Sequence, residues 1–462
     1  MAYPRRSGNQ FSEPPSKTVN LSAAANRLAR GIARGWAFLF PNPGFYGWAV
    51  VGSCLMCAML SSPGQSFALS LYLEHLIADL GLSRMALSSL YGAMTLTAAA
   101  TLPLVGRLAD RFDGRYFLAC VIVGIGAACL FFSQVTTWIG VAVAFFLLRL
   151  LGQGAIGLGN LTVVVRWFRQ FRGRALAVVN LGYATGEMIF PTLILGLIAA
   201  IGWRGSMMTF AAAYVLIFAP LVLWLLRPRS SDEPFDGEPE PQSDDKPGDE
   251  AEETDAPPGI DPEEHADKAP DYAFGEALKT PTFWVMALCV SVLPMVVTAV
   301  IFHQVALFAS LGWAKSLIAP AFVGFAAARV GVTYGTGFVL EHVSSRFGIS
   351  AAMVLATLAL VSTVLPVSGP VGSMIYGAGL GAATGGLSTS NQVLWPEYFG
   401  TEAVGQIKGA VTAIRNASTA AGPPLVAWLI AGHQQFDTAI AVLVGLCVLA
   451  AAVAPWVTPP GR

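Results

Sequence analysis

Apolar runs long enough to cross a bilayer follow one another from Phe45 to Val457, with very little charge inside them. Charged residues make up 12% of the chain, against about a quarter in soluble domains. Of the 55 charges, 21 crowd between Pro228 and Glu276. The other 413 residues hold 34, roughly 8%, too few to cover a water-soluble surface. Soluble enzymes, disordered proteins and nucleic-acid binders are excluded, and a membrane protein of many spans remains.

Twelve spans are expected, at 45–73, 84–105, 115–134, 137–165, 173–201 and 205–226, then 282–309, 316–340, 349–367, 370–394, 404–431 and 436–457. Each is long enough to traverse about 30 Å of hydrocarbon as a helix. The flanking segments complete the division: a basic tail at 1–44, six-helix bundles at 45–227 and 282–457, a linker at 228–281, and a short tail at 458–462. Residues 228–276 hold 18 acids against 3 bases, with many prolines and few hydrophobes, the composition of a disordered linker. The six cysteines fall inside apolar runs, and Cys54 and Cys57 have no histidine or acid beside them. They read as small packing residues, and no metal or cofactor is expected.

Lysine and arginine near the span ends set the orientation. The N-tail gives six, and the short loops on the same side give nine: Arg107, Arg111, Arg115, Arg166, Arg169, Arg172, Arg174, Arg346 and Lys408. The opposite loops give Arg84, Arg204 and Lys315. Both termini and the acidic linker are therefore expected in the cytoplasm, with the bundles in the inner cell membrane.

The halves repeat one another. An offset of 231 positions pairs Gly81 with Gly312, Gly106 with Gly337 and Asp110 with Glu341. It also pairs Arg115 with Arg346, Gly154 with Gly385, Asn160 with Asn391 and Phe168 with Phe399. Two parallel six-helix repeats are a transporter signature, with the substrate site near the midplane between them. The expected fold is an all-α membrane protein, its twelve transmembrane helices in two pseudo-symmetric bundles.

Four charged residues lie near span centres: Arg149, Glu187, Arg329 and Arg415. Such residues face a partner or a wet cavity, because hydrocarbon offers neither. Arg329 and Arg415 are expected to hold a small organic anion, since a guanidinium grips a carboxylate through paired planar bonds and keeps its charge, with a structural bond to backbone carbonyls or to Glu187 as the alternative. Tyr376 is expected to add a hydroxyl. Glu187 stands either as a proton site or as a fixed counter-charge. His303 is a second coupling candidate, as a pH-sensing group or part of the outer vestibule, with a plain helix-end histidine as the alternative. Gly152 and Gly154 let helices approach closely, so Arg149 beside them is read as bracing helices. Gly106, Asp110, Arg111 and Arg115, with Gly337, Glu341 and Arg346 in the second half, are expected to lock the helix ends in one state and release them in the other.

The run Gly106–Arg115 resembles the loop signature of the major facilitator superfamily, with one residue more at Phe112-Asp113. Arg149–Ala155 resembles its fourth-helix signature, and Gly182–Gly186 with Pro191 its fifth-helix glycine motif. The likeness covers about residues 45–457 and implies alternating access between the two bundles. Tyr46–Val50 is similar to the first-helix motif of monocarboxylate transporters without its leading acid, and Trp167-Phe168 through Arg172, Ala175 and Gly182 to their fifth-helix entry. In that branch and in oxalate–formate antiporters the eighth-helix arginine, here Arg329, binds carboxylate; those antiporters carry a second basic residue where Arg415 stands. The aspartate that takes part in proton coupling in animal members is replaced by Phe325.

The resemblance implies a monomeric secondary transporter of mono- or dicarboxylates, working by proton symport or anion exchange. An exporter of amphipathic compounds is the alternative within the class, and a carboxylate receptor signalling through the acidic linker the alternative outside it. No nucleophile–base pair at a membrane face points to an enzyme.

Overall fold

A computed structural model of the protein describes residues 46–168, 171–227, 272–364, 369–400, 402–433 and 436–460. The basic tail and most of the acidic linker lie outside the described residues. Helices account for nearly everything described, and no strand occurs among them. The first half begins with α1 (Gly47–Leu80), α2 (Arg84–Arg111), α3 (Gly114–Ser133) and α4 (Trp138–Trp167). The apolar stretch Arg172–Leu225 runs on for 54 residues but turns at Gly202 (φ 73°), a conformation that glycine adopts without a Cβ clash. It therefore supplies two helices, α5 before the turn and α6 after it. The second half comprises α7 (Pro281–Phe302), α8 (Lys315–Val339), α9 (Ser345–Val361), α10 (Gly369–Phe399), α11 (Val404–His433) and α12 (Phe436–Trp456).

Eight segments meet the length and hydropathy of a membrane span; the turn at Gly202 makes nine helices of them, and α9, α10 and α11 complete the twelve. The last two are long but more polar, because part of their surface meets protein or a cavity instead of lipid. The expected limits shift at several places. The first span extends past residue 73 to Leu80 and is interrupted by a 3-10 turn at Ser62–Gly64, where Pro63 lacks an amide donor. The second reaches Arg111 and the tenth Phe399. Residues 272–280, inside the linker as expected from composition, are tied to the second half: the Tyr272 amide donates to the Phe399 carbonyl and its hydroxyl to the Pro460 carbonyl. A short helix, Phe274–Ala277, follows there.

Local chemistry explains the helix ends. Ser83, Asp113 and Thr137 accept from the amides of Ala86, Arg115 and Gly140 and so cap α2, α3 and α4. Asp113, the residue added to the loop signature, is thus the cap of α3. Gly81 and Gly312, paired by the repeat, both end helices in the left-handed conformation, at φ 63° and 69°.

Glycine ridges set how closely the helices pack. On α10, a Cβ at Gly377, Gly381 or Gly385 would stand 1.8, 2.0 or 2.5 Å from the carbonyl oxygens of Ala321, Phe325 and Arg329 on α8. Both sets recur every four residues, so one face of each helix runs along the other. In the first half Gly182 of α5 sits on the Leu55 carbonyl of α1 at 2.1 Å by the same measure, and Gly186 lies against Met59 and Ser62. The helices that carry Glu187 and Arg329 are therefore each fixed within their own half.

Gly377→Ala is expected to lower the melting temperature of the detergent-solubilised protein, since the added methyl must displace backbone at a cost of about 1–3 kcal/mol. Gly445→Ala, the same change where nothing lies within 4 Å, should leave it equal or higher. Equal behaviour of the two variants in a thermal-shift measurement would show that the ridge does not set the packing.

Candidate functional site

The two halves meet at a charge pair. Glu187, in the middle of α5, accepts from Nη1 of Arg329 on α8 at 2.5 Å. The other carboxylate oxygen of Glu187 is buried without a hydrogen-bond partner. Gly186 precedes Glu187 against α1, and Gly385 packs on the Arg329 carbonyl, so close packing on the neighbouring helix positions both residues.

The pair lines a cavity of about 310 Å³ that also contains Arg415. Nε of Arg415 is buried without a partner, and no carboxylate pairs with this arginine among the described residues. One acid against two arginines leaves the cavity with an excess positive charge. Thr412, Arg415, Asn416 and Thr419 lie on one face of α11 at helical spacing, and Gln65, Ser66, Gln153, Thr384 and Ser388 add polar groups. The α7 side is mostly apolar: Pro294, Val297 and Ile301 again follow helical spacing, with Thr298 the polar residue among them and Phe67 and Phe325 nearby. Such a chamber suits a compact anion with hydrogen-bonding capacity at one end and a short apolar part at the other.

From Arg329 the space continues as a cavity of about 460 Å³ lined by Gly173, Asn180, Tyr183, Thr333, Tyr334 and Gln392 among others. It runs toward the end of the bundle that bears Arg111, Arg172 and Arg346. Contacts between the halves close the opposite end. Phe67 of α1 meets Phe322 of α8 at 5.5 Å between ring centroids, and Tyr91 of α2 meets Phe302 of α7 at 4.4 Å. The site is therefore closed on one side and reached from the arginine-rich side.

His303 belongs to that closed end. It sits at the break between Pro281–Phe302 and Gln304–Ser310, where its Nε2 lies 3.0 Å from the Pro423 carbonyl and 3.5 Å from Ser88 Oγ. At 1% exposure it is a clasp between α2, α7 and α11 in this closed arrangement, at the helix end that the plain alternative expected. Tyr376 is absent from the cavity lining: it is buried against Phe308 with an unpartnered hydroxyl, two turns of α10 away from Thr384.

Arg149 starts a π-helical turn, Arg149–Ala155, and ties α4 to its neighbours. Its Nε donates to Thr95 Oγ1 and its Nη1 to the Gly64 carbonyl, both at 3.1 Å, and the guanidinium lies over the Tyr91 ring. Gly152 makes this crossing possible, because a Cβ there would fall 2.9 Å from Gly64; one at Gly154 would strike Leu102.

At the arginine-rich end neither Asp110 nor Glu341 has an ion-pair or side-chain hydrogen-bond partner among the described residues, and Arg111 is exposed. Arg115 and Arg346 lie over the rings of their neighbours Tyr116 and Phe347. Gly106 is near Leu158 only at 3.9 Å, and Gly337 has nothing within 4 Å. The ties come from two residues not expected in that part. Arg166 donates to the carbonyls of Asp110 and Phe112 at the end of α2. Glu397 accepts from Ser344 Oγ and the Ser345 amide at the start of α9. The same offset of 231 pairs these two, so opposite charges at equivalent positions serve opposite helix ends, as the helix dipole favours. Extending the repeat alignment to charge-reversed positions would have found them.

The family model described as Major Facilitator Superfamily matches residues 54–423, and also 11–156. "MFS-type transporter 1" of Ophiocordyceps sp. is 25% identical over 188 residues, which are 40% of this chain and 42% of that protein. "MFS transporter asaE" of Aspergillus flavus is 29% identical over 116 residues, 25% of this chain and 26% of the relative. The chain thus spans less than half the length of these two relatives. Among solved structures, a bacterial homologue of the human lysosomal transporter Spinster, inward-facing and occupied, superposes with a TM-score of 0.65 at 13% identity, covering 89% of this chain and 97% of that one. A mutant of the nucleoside transporter NupG also gives 0.65, at 12% identity over 88% and 99%. These likenesses are of fold. With the family match covering well over half its length, this chain, helical through nearly all its described residues, belongs to the major facilitator superfamily.

Proposed function

We propose that this transporter carries small organic anions bearing a carboxylate, by alternating access between its two six-helix halves. The observation that carries the reading is Arg415, a guanidinium in the central cavity with no carboxylate partner among the described residues. An arginine keeps its charge, so an anionic substrate is the complement that this cavity favours. The resemblance of Arg329 and Arg415 to the basic residues of monocarboxylate transporters and oxalate–formate antiporters supports the same class. With the arginine-rich end in the cytoplasm of an inner membrane, the cavity faces inward, and the unpaired Asp110 and Glu341 correspond to an open cytoplasmic lock.

Glu187 and Arg329 supply the coupling. Ionised, Glu187 occupies the guanidinium of Arg329; protonated, it releases that guanidinium to the substrate. Protonation and anion binding then favour each other, which is the requirement for symport. Anion exchange needs only that one substrate replaces another at Arg415.

Uptake of labelled mono- and dicarboxylates into proteoliposomes, with and without a pH gradient, tests the reading. Arg415→Ala is expected to lower apparent affinity roughly 10- to 150-fold, the equivalent of one lost charged hydrogen bond. Undiminished affinity in that variant would remove the carboxylate from Arg415.

Glu187→Gln is expected to abolish pH-driven accumulation and to preserve exchange. The wild type should accumulate substrate faster as the outside is made more acidic, while the variant should show no dependence. Acid-driven accumulation persisting in Glu187→Gln would transfer the coupling role elsewhere, with His303 next in line.

A further inference from the structure

Beside the main cavity lies a smaller chamber of about 150 Å³, set between α2, α4 and α11. It shares Gln153, Asn416 and Thr419 with the main cavity, so the two are contiguous. Its wall holds Arg149, which is 2% exposed. Thr95, the Gly64 carbonyl and the Tyr91 ring satisfy part of this guanidinium, but its Nη2 is buried without a partner. Those partners are neutral, and no carboxylate pairs with Arg149 among the described residues. A buried permanent cation therefore keeps one guanidinium nitrogen without a partner in the wall of a chamber whose polar groups are Thr95, Gln153, Asn416 and Thr419. Bracing three helices accounts for two of its donors and leaves the charge uncompensated.

We propose that this chamber is a second anion subsite, in which Arg149 holds one compact anionic group: the distal carboxylate of a short dicarboxylate seated at Arg415, or a small free anion such as chloride. The shared polar wall fits both sources. Asn416 follows Arg415 on α11 and, with Gln153, lines both spaces, so these amides stand between Arg415 and the chamber. Ala98 leaves the room: the repeat pairs it with Arg329, so a methyl stands in the first half where the second carries a long cationic side chain. The dicarboxylate form rests on the proposed transport of organic anions; the free-anion form does not.

The test measures binding of acetate, malonate and chloride to the purified full chain in chloride-free buffer, by calorimetry and thermal shift. The wild type is compared with Ala98→Leu, which fills the chamber and leaves the bonds of Arg149 in place. Ala99→Val replaces it should the leucine variant not be monodisperse. Malonate is expected to bind at least about tenfold more tightly than acetate, the equivalent of one further charged hydrogen bond. The variant should erase that advantage. Chloride stabilising the wild type and not the variant, with malonate no better than acetate, would support the subsite and assign it to a free anion. Acetate binding with no malonate advantage and no variant-sensitive chloride effect would overturn the subsite and leave the proposed function standing. Neither carboxylate binding, with a chloride effect lost in the variant, would retain the subsite and overturn the organic-anion reading. No binding of any of the three would overturn both.

Discussion

An arginine inside a membrane must find an acid, a set of neutral acceptors or water, and the three intramembrane arginines of this protein find one each. Arg329 has the carboxylate of Glu187. Arg149 has a hydroxyl, a carbonyl and an aromatic face. Arg415 has a cavity. These solutions divide the labour: the first joins the halves, the second holds α1, α2 and α4 together, and the third leaves a guanidinium without an acid partner among the described residues. The excess positive charge of the cavity follows from that division.

Such charges are useful only if they meet accurately, and glycine provides the accuracy. In lipid there is little hydrophobic force between helices, so close backbone contact sets their spacing. The ridge of Gly377, Gly381 and Gly385 on α10, packed against α8, and that of Gly182 and Gly186 on α5, packed against α1, lock the helices bearing Arg329 and Glu187 into their own halves. The pair then reports on the relation between halves, since each partner is fixed separately. Under the proposed alternating access, rocking one half against the other must lengthen or rotate this bond.

The repeat explains the scaffold and is broken where there is chemistry. Gly81 and Gly312 end helices in the same conformation. Arg166 and Glu397 hold loops at equivalent places with opposite charge. Ala98 stands opposite Arg329 and Ala184 opposite Arg415 in the alignment of halves. The two cavity arginines of the second half, Arg329 and Arg415, therefore lack a counterpart in the first, and the cavity is electrostatically one-sided despite its pseudo-symmetric frame.

Scarcity of charge, span length and the offset of 231 determined the helical membrane fold and its two halves, because these depend on composition and on local backbone hydrogen bonding. The deep residues Glu187, Arg329 and Arg415 were legible for the same reason: their position along a span is a local property. Their partners were not. Which guanidinium takes the carboxylate depends on how α5 and α8 face each other across a separation of 142 positions, and side-chain periodicity within either helix says nothing about that. The tertiary structure alone turned Tyr376 away from the cavity, drew His303 into a clasp at the closed end and assigned the loop ties to Arg166 and Glu397. In each case the deciding quantity is the rotation of one helix relative to another, which close packing fixes and sequence spacing leaves open.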